Sequence, residues 1–116
     1  MMDIIRSRIS RQELIARYLT HFETASKAVI DVKRGILALD AELHSDLEAA
    51  LLKDGSVQDD LWGINLYPHK ERKDFIEYTS LINIRPHQGN KSMVVSDPAV
   101  RDRISSVIDT LIDYGA

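Results

Sequence analysis

Apolar residues recur along the chain with two different periods. Leu14, Tyr18 and Phe22 stand at four-residue steps, with Ile15 and Leu19 beside them. That spacing predicts an amphipathic helix over residues 10–22, with Arg11, Arg17 and His21 turned to solvent. Ser10 followed by Glu13 is a capping-box start for it. Residues 28–39 (AVIDVKRGILAL) instead place two β-branched and aliphatic runs around Lys33-Arg34-Gly35. This predicts a hairpin, with Gly35 in the left-handed position of its turn. A single helix through the same residues is the alternative, since Val29, Val32 and Ile36 also fit helical spacing.

Residues 40–54 fit both periods. Glu42, His44, Asp46 and Glu48 alternate as a strand would, but Leu43, Leu47, Ala50 and Leu51 form a helical face. The run Ala-Ala-Leu-Leu-Lys favours helix, with Asp40 as its cap and Gly55 as its end. Leu61–Tyr67 reads as a strand stopped by Pro68. After a charged connection, 69–74, the stretch 75–85 reads as a long strand. Ile76, Tyr78, Ser80, Ile82 and Ile84 share one of its faces. Pro86 stops it, Gly89-Asn90 makes a turn, and 91–96 returns as a strand. Asp97-Pro98 is an N-cap acid followed by a first-turn proline, opening a helix to about Asp113. The elements add up to an α+β fold with a small antiparallel sheet and helices mainly on one face, in a single domain spanning 1–116. The stretch Leu61–Val95 is its centre.

Composition narrows the classes. A chain of 116 residues suits one core, and the absence of cysteine removes thiolate nucleophiles and cysteine metal sites. A net charge of -3 supplies no global field towards nucleic acid or membrane. No apolar run is long enough to span a bilayer, and residues 1–10 lack the layout of a secretory signal. A cytoplasmic protein is expected.

Candidate chemistry concentrates in two places. In the turn 85–91, Arg85 can fork to a carboxylate or phosphate and His87 can move a proton near neutral pH. Gly89 and Asn90 allow close backbone approach, and Lys91 adds charge, so Arg85, His87, Gly89, Asn90 and Lys91 are the candidate ligand-binding set. The bland counterpart is a solvated hairpin turn with Arg85 paired to an acid. The second place is Glu42-Leu43-His44-Ser45-Asp46, where Glu42, His44 and Asp46 suit a divalent metal such as manganese or zinc. On a helix these three diverge, so the counterpart is a charged helix face. The aromatic set Trp62, Tyr67, Phe75 and Tyr78 is expected to pack rather than to stack on bases. Arg6, Arg8 and Arg11 form a small basic arm. No phosphate loop, dinucleotide fingerprint, paired-histidine zinc motif or Gly-x-Ser-x-Gly elbow is present.

Several strings resemble a known family. They are Glu42-Leu43-His44-Ser45-Asp46, Asp54-Gly55-Ser56, Asp60-Leu61-Trp62-Gly63 and Tyr67-Pro68, with Ser80-Leu81-Ile82-Asn83-Ile84-Arg85-Pro86 and Gln88-Gly89-Asn90. Together they resemble an uncharacterised family of small bacterial and archaeal proteins, over about residues 28–112. The resemblance implies a compact domain of unknown function and transfers no catalytic role or cofactor to any residue.

Three functions are set against one another. The first is binding of a protein partner, or of a second copy as a homo-oligomer. Its grounds are the missing catalytic motif and the strand edges a sheet must pair or cover. The second is a small metal-dependent or phosphoryl-handling enzyme. It would use His44, Asp46, Arg85 and His87 and needs 42–48 beside 85–91. The third is nucleic-acid binding through the basic arm and the 85–91 turn, which the acidic balance argues against.

Overall fold

The computed structural model describes residues 2–115. The chain runs β1 (Asp3–Ile5), β2 (Ile9–Ser10), α1 (Arg11–Arg17), β3 (Ser26–Asp31), β4 (Ile36–Leu39), α2 (His44–Lys53), β5 (Leu61–Leu66), β6 (Ile76–Glu77), α3 (Pro98–Leu111) and β7 (Ile112–Asp113). Five strands form an antiparallel sheet in the order β1-β4-β3-β5-β6. Strands β2 and β7 pair in parallel and tie the two ends of the chain together.

The hairpin forms as predicted. Gly35 closes it at φ 68, and the Asp31 carboxylate accepts the N–H groups of Lys33 and Arg34 inside the turn. Its register, Ile30 opposite Leu37 and Val29 opposite Ala38, sorts the side chains by alternation. Ala28, Ile30, Leu37, Leu39, Trp62, Ile64 and Leu66 face α1 and α3. Val29, Ile36, Ala38 and Leu61 face Leu47 and Leu51 of α2. Both sheet faces are therefore covered, which is why β3 and β4 read as unbroken apolar runs. The α+β expectation holds. Two helices share one face as expected, and α2 covers the other.

Helix ends differ from the spacing-based expectation for local reasons. Ser10 caps α1 through the Glu13 N–H at 3.0 Å, but the helix stops at Arg17 and Phe22 lies outside the core, 39% exposed. Tyr18 turns inward and donates its hydroxyl to Asp3 at 2.8 Å; burial and that bond push its pKa up to about 12. Helix α2 starts at His44 rather than at Asp40. Asp40 sits at φ 70 and accepts the N–H and hydroxyl of Thr20, so Leu43 becomes an N-cap with no side-chain bond. Asp97 caps α3 through the Ala99 N–H with Pro98 in the first turn, and Ile112 leaves the helix to enter β7. The largest correction is the strand expected over 75–85. Only Ile76–Glu77 pair with β5, after which the chain leaves the sheet.

Candidate functional site

Where the long strand was expected, a loop from Tyr78 to Ser96 is ordered by side chains. Beyond Asn65, no strand among the described residues covers the outer edge of β5. The buried amide of Asn83 takes that place. It accepts the Gly63 N–H at 2.8 Å and donates to the Gly63 carbonyl at 2.9 Å, supplying one donor and one acceptor as a peptide group would. Gly63 is required because a Cβ there would lie 2.5 Å from the Ser80 Cβ. Asn90, also buried, donates to the carbonyls of Asn83, Ser92 and Val94 and accepts from the N–H and hydroxyl of Ser96. Thr79 bridges Val94, with Ser80 N–H on the Met93 carbonyl and Val95 N–H on the Tyr78 carbonyl.

Arg85 completes this network. Its guanidinium donates to the carbonyls of Ile82 and Gln58, to Gln88 and to Glu48, and it lies 4.9 Å from the Trp62 ring centroid. Only 4% of it is exposed, and burial pulls its pKa down while the charge of Glu48 opposes that. Arg85 thus takes the counterpart reading, an arginine paired to an acid, and turns its donors inward. Asn90 is likewise an internal brace. His87, Gly89 and Lys91 remain exposed, with His87 3.4 Å from Asp59.

The loop forms one wall of a recess of about 370 Å³ on the α2 side of the sheet. Leu81, Ile82 and Met93 come from the loop, Leu43 and His44 from the start of α2, and Lys27 and Asn65 from facing positions on β3 and β5. Its rim is apolar and open to solvent: Leu81 is 71% exposed, Leu43 52% and Met93 39%. Its floor is polar. His44 donates from Nε2 to the Ile64 carbonyl at 2.7 Å, which leaves Nδ1 as the lone-pair nitrogen. Burial depresses the His44 pKa, so the ring is neutral at pH 7. Asn65 donates to Glu77 and to the Thr79 carbonyl, and the Lys27 ammonium lies 5.2 Å from the Phe22 ring centroid.

The other sequence candidates lie elsewhere. Glu42 and Asp46 line a separate recess with Met2, His21 and Lys53. The proposed metal set of Glu42, His44 and Asp46 therefore does not converge, as helical spacing implies. Among the described residues, no group of three or more histidines and acids could hold a metal ion. Gly89 and Asn90 line a third recess with Trp62 and Asp97. The acidic segment and the 85–91 turn do touch, through the ion pair of Glu48 with Arg85 at 3.3 Å. The basic arm is engaged internally. Arg6 pairs with Asp54 at 2.6 Å, Arg8 donates to the carbonyls of Asp109 and Thr110, and Arg11 lies 5.6 Å from the ring centroid of Phe75 and 5.7 Å from that of Tyr114. Hydrogen bonds from Arg6 and Arg34 hold the Asp54 carboxyl below its usual range. Trp62 and Phe75 pack in the core as expected.

Sequence reasoning missed Lys27, Asn65, Leu81 and Met93 as recess residues, and Gly63 and Asn83 as its supports. One signal for the loop was present. Leu81, Ile84, Met93 and Val94 crowd a segment rich in Asn, Gly and Pro, where apolar side chains have no regular face to bury.

No helix among the described residues is long and apolar enough to cross a membrane. Comparison with curated proteins found no match, and comparison with solved structures found none. One family model matches residues 3–111, nearly the whole described chain, and by that match the chain belongs to the family described as "Protein of unknown function (DUF5674)".

Proposed function

We propose that this protein is a binding module that receives an apolar segment of a protein partner on the recess and its loop wall. One observation carries the reading. A loop fixed by three buried polar side chains, Asn83, Arg85 and Asn90, holds large apolar side chains out in water. Leu81 is 71% exposed, Ile84 44%, and Met93 and Val94 39% each. Clustered exposed apolar groups mark interaction surfaces. Ordering them before contact lowers the entropic cost of binding. Pairing between sheet edges has less support as a route to self-association. The outer strand β1 has its Ile4 N–H taken by the Asp3 carboxylate at 2.9 Å, and residues beyond β6 pair with 93–95. The catalytic alternative is weakened because His44, Asp46 and His87 are set in different surroundings.

A peptide-display selection tests the reading. Wild-type protein should enrich sequences rich in aliphatic residues, and Leu81→Glu should abolish their binding while leaving the circular dichroism and melting temperature unchanged. Equal binding by Leu81→Glu, or no enrichment at all, would overturn it.

A further inference from the structure

We propose that the recess selects partner segments in which an aliphatic side chain is accompanied by a carboxylate, with Lys27 receiving that charge. The proposal rests on partner binding at this recess and adds the chemistry of the partner. Charge complementarity supports it. Lys27 lines the recess and no acidic side chain does, on a chain whose net charge is -3. The acids that follow the recess residues Leu43–Ser45 are directed elsewhere. Asp46 lines the separate recess with Glu42, and Glu48 holds Arg85. Glu77, one strand further along the row Lys27–Asn65–Glu77, has its carboxylate engaged by the Asn65 amide and the Tyr67 hydroxyl.

Two further features bear on this positive charge, which the carboxylate of Glu77 beyond Asn65 partly offsets. The recess includes Leu43, His44 and Ser45 at the start of the ten-residue helix α2, whose N-cap contributes no side-chain acceptor. Its first N–H groups add to the field of Lys27, offset in part by Asp46 in the same first turn. Lys27 is also partly buried and its ammonium is placed against the Phe22 ring, which restricts where the charge can go. An aliphatic side chain entering past Leu81 and Met93 would bring an adjacent carboxylate towards this end.

The test is a ¹⁵N NMR titration of the full chain with three acetylated and amidated leucine-rich hexapeptides, carrying glutamate, glutamine or lysine at one position. Octanoate serves as a non-peptide carboxylate. The glutamate peptide should bind about fivefold more tightly than the glutamine peptide, and the lysine peptide should bind most weakly. Lys27→Gln should erase that order, and the shifts should centre on Leu81, His44 and Asn65. Equal affinities for the three peptides, with shifts still centred on the recess, would overturn the carboxylate preference and leave partner binding standing. A preference that survives Lys27→Gln would overturn the role of Lys27. Tighter binding of octanoate than of the glutamate peptide would overturn a protein segment as occupant. Recess shifts that grow with protein concentration alone would assign the surface to a second copy and overturn the proposal. Absence of any recess shift would overturn partner binding itself.

Discussion

The β3–β4 hairpin and the loop from Tyr78 to Ser96 order their backbones by opposite means. In the hairpin, backbone pairs with backbone in a regular ladder, and the side chains are released to fill cores on two faces. In the loop, buried side chains of Asn83, Arg85 and Asn90 pair with backbone, and apolar side chains are released to solvent. The difference separates a region that buries its apolar side chains from one that leaves them exposed. A ladder buries apolar surface, worth about 25 cal/mol per Å². A side-chain-braced loop gives up that gain at Leu81 and Ile84 and fixes a surface instead.

Mutations can break this comparison, beginning with the hairpin. Ile30→Ala should cost about 2–5 kcal/mol of global stability, because Ile30 is fully buried among Leu37, Trp62 and the α3 side chains. Urea unfolding should show one cooperative transition shifted for every probe. Asn83→Ala should cost about 1–3 kcal/mol, since it orphans the buried N–H and carbonyl of Gly63. Hydrogen exchange should then quicken at Gly63 and through residues 78–96 before it quickens in the hairpin. A uniform response across both regions would refute separate modes of ordering.

Gly63→Ala should cost about 1–3 kcal/mol by forcing Ser80 away, and Ser80→Gly in the same chain should recover part of it. Chemical denaturation of the single and double variants reads that coupling directly.

The smallest expected effect is a pH dependence at His44. Burial lowers its native pKa below the ordinary value of 6.5, so the unfolded chain binds the proton more readily. Stability from this residue is complete above pH 6.5, declines as pH falls towards the native pKa, and levels off below it. His44→Gln keeps an amide donor for the Ile64 carbonyl and should flatten that part of the stability–pH curve. Comparing urea midpoints of the two proteins between about pH 7 and pH 5 checks it.

Legibility in the sequence followed the range of the interactions involved. The Ser10–Glu13 cap, the Gly35 turn and the Asp97-Pro98 helix start act over a few residues, and each forms where the pattern places it. The stretch 75–85 failed for a definite reason. Its alternation of Ile76, Tyr78, Ser80, Ile82 and Ile84 matches a strand, but Asn83 and Ser80 find long-range partners at Gly63 and Met93 that a ladder would deny them. The site suffered most. The polar residues most noticeable in the sequence, Arg85 and Asn90, became braces, while the recess drew Lys27, Asn65, and Leu81 with Met93 from three separate segments.

The sequence by itself therefore determined the starts of α1 and α3 at their caps, the hairpin at its turn and the α+β class, because propensity, capping and alternation are local properties of neighbouring residues. The tertiary structure alone decided that Glu48 reaches Arg85, that Glu42 and His44 line different recesses, and that Asn83 closes the edge of β5. Those outcomes depend on which distant groups meet once the sheet is packed on both faces. A buried polar group must be satisfied by whatever partner the packing brings within hydrogen-bond reach.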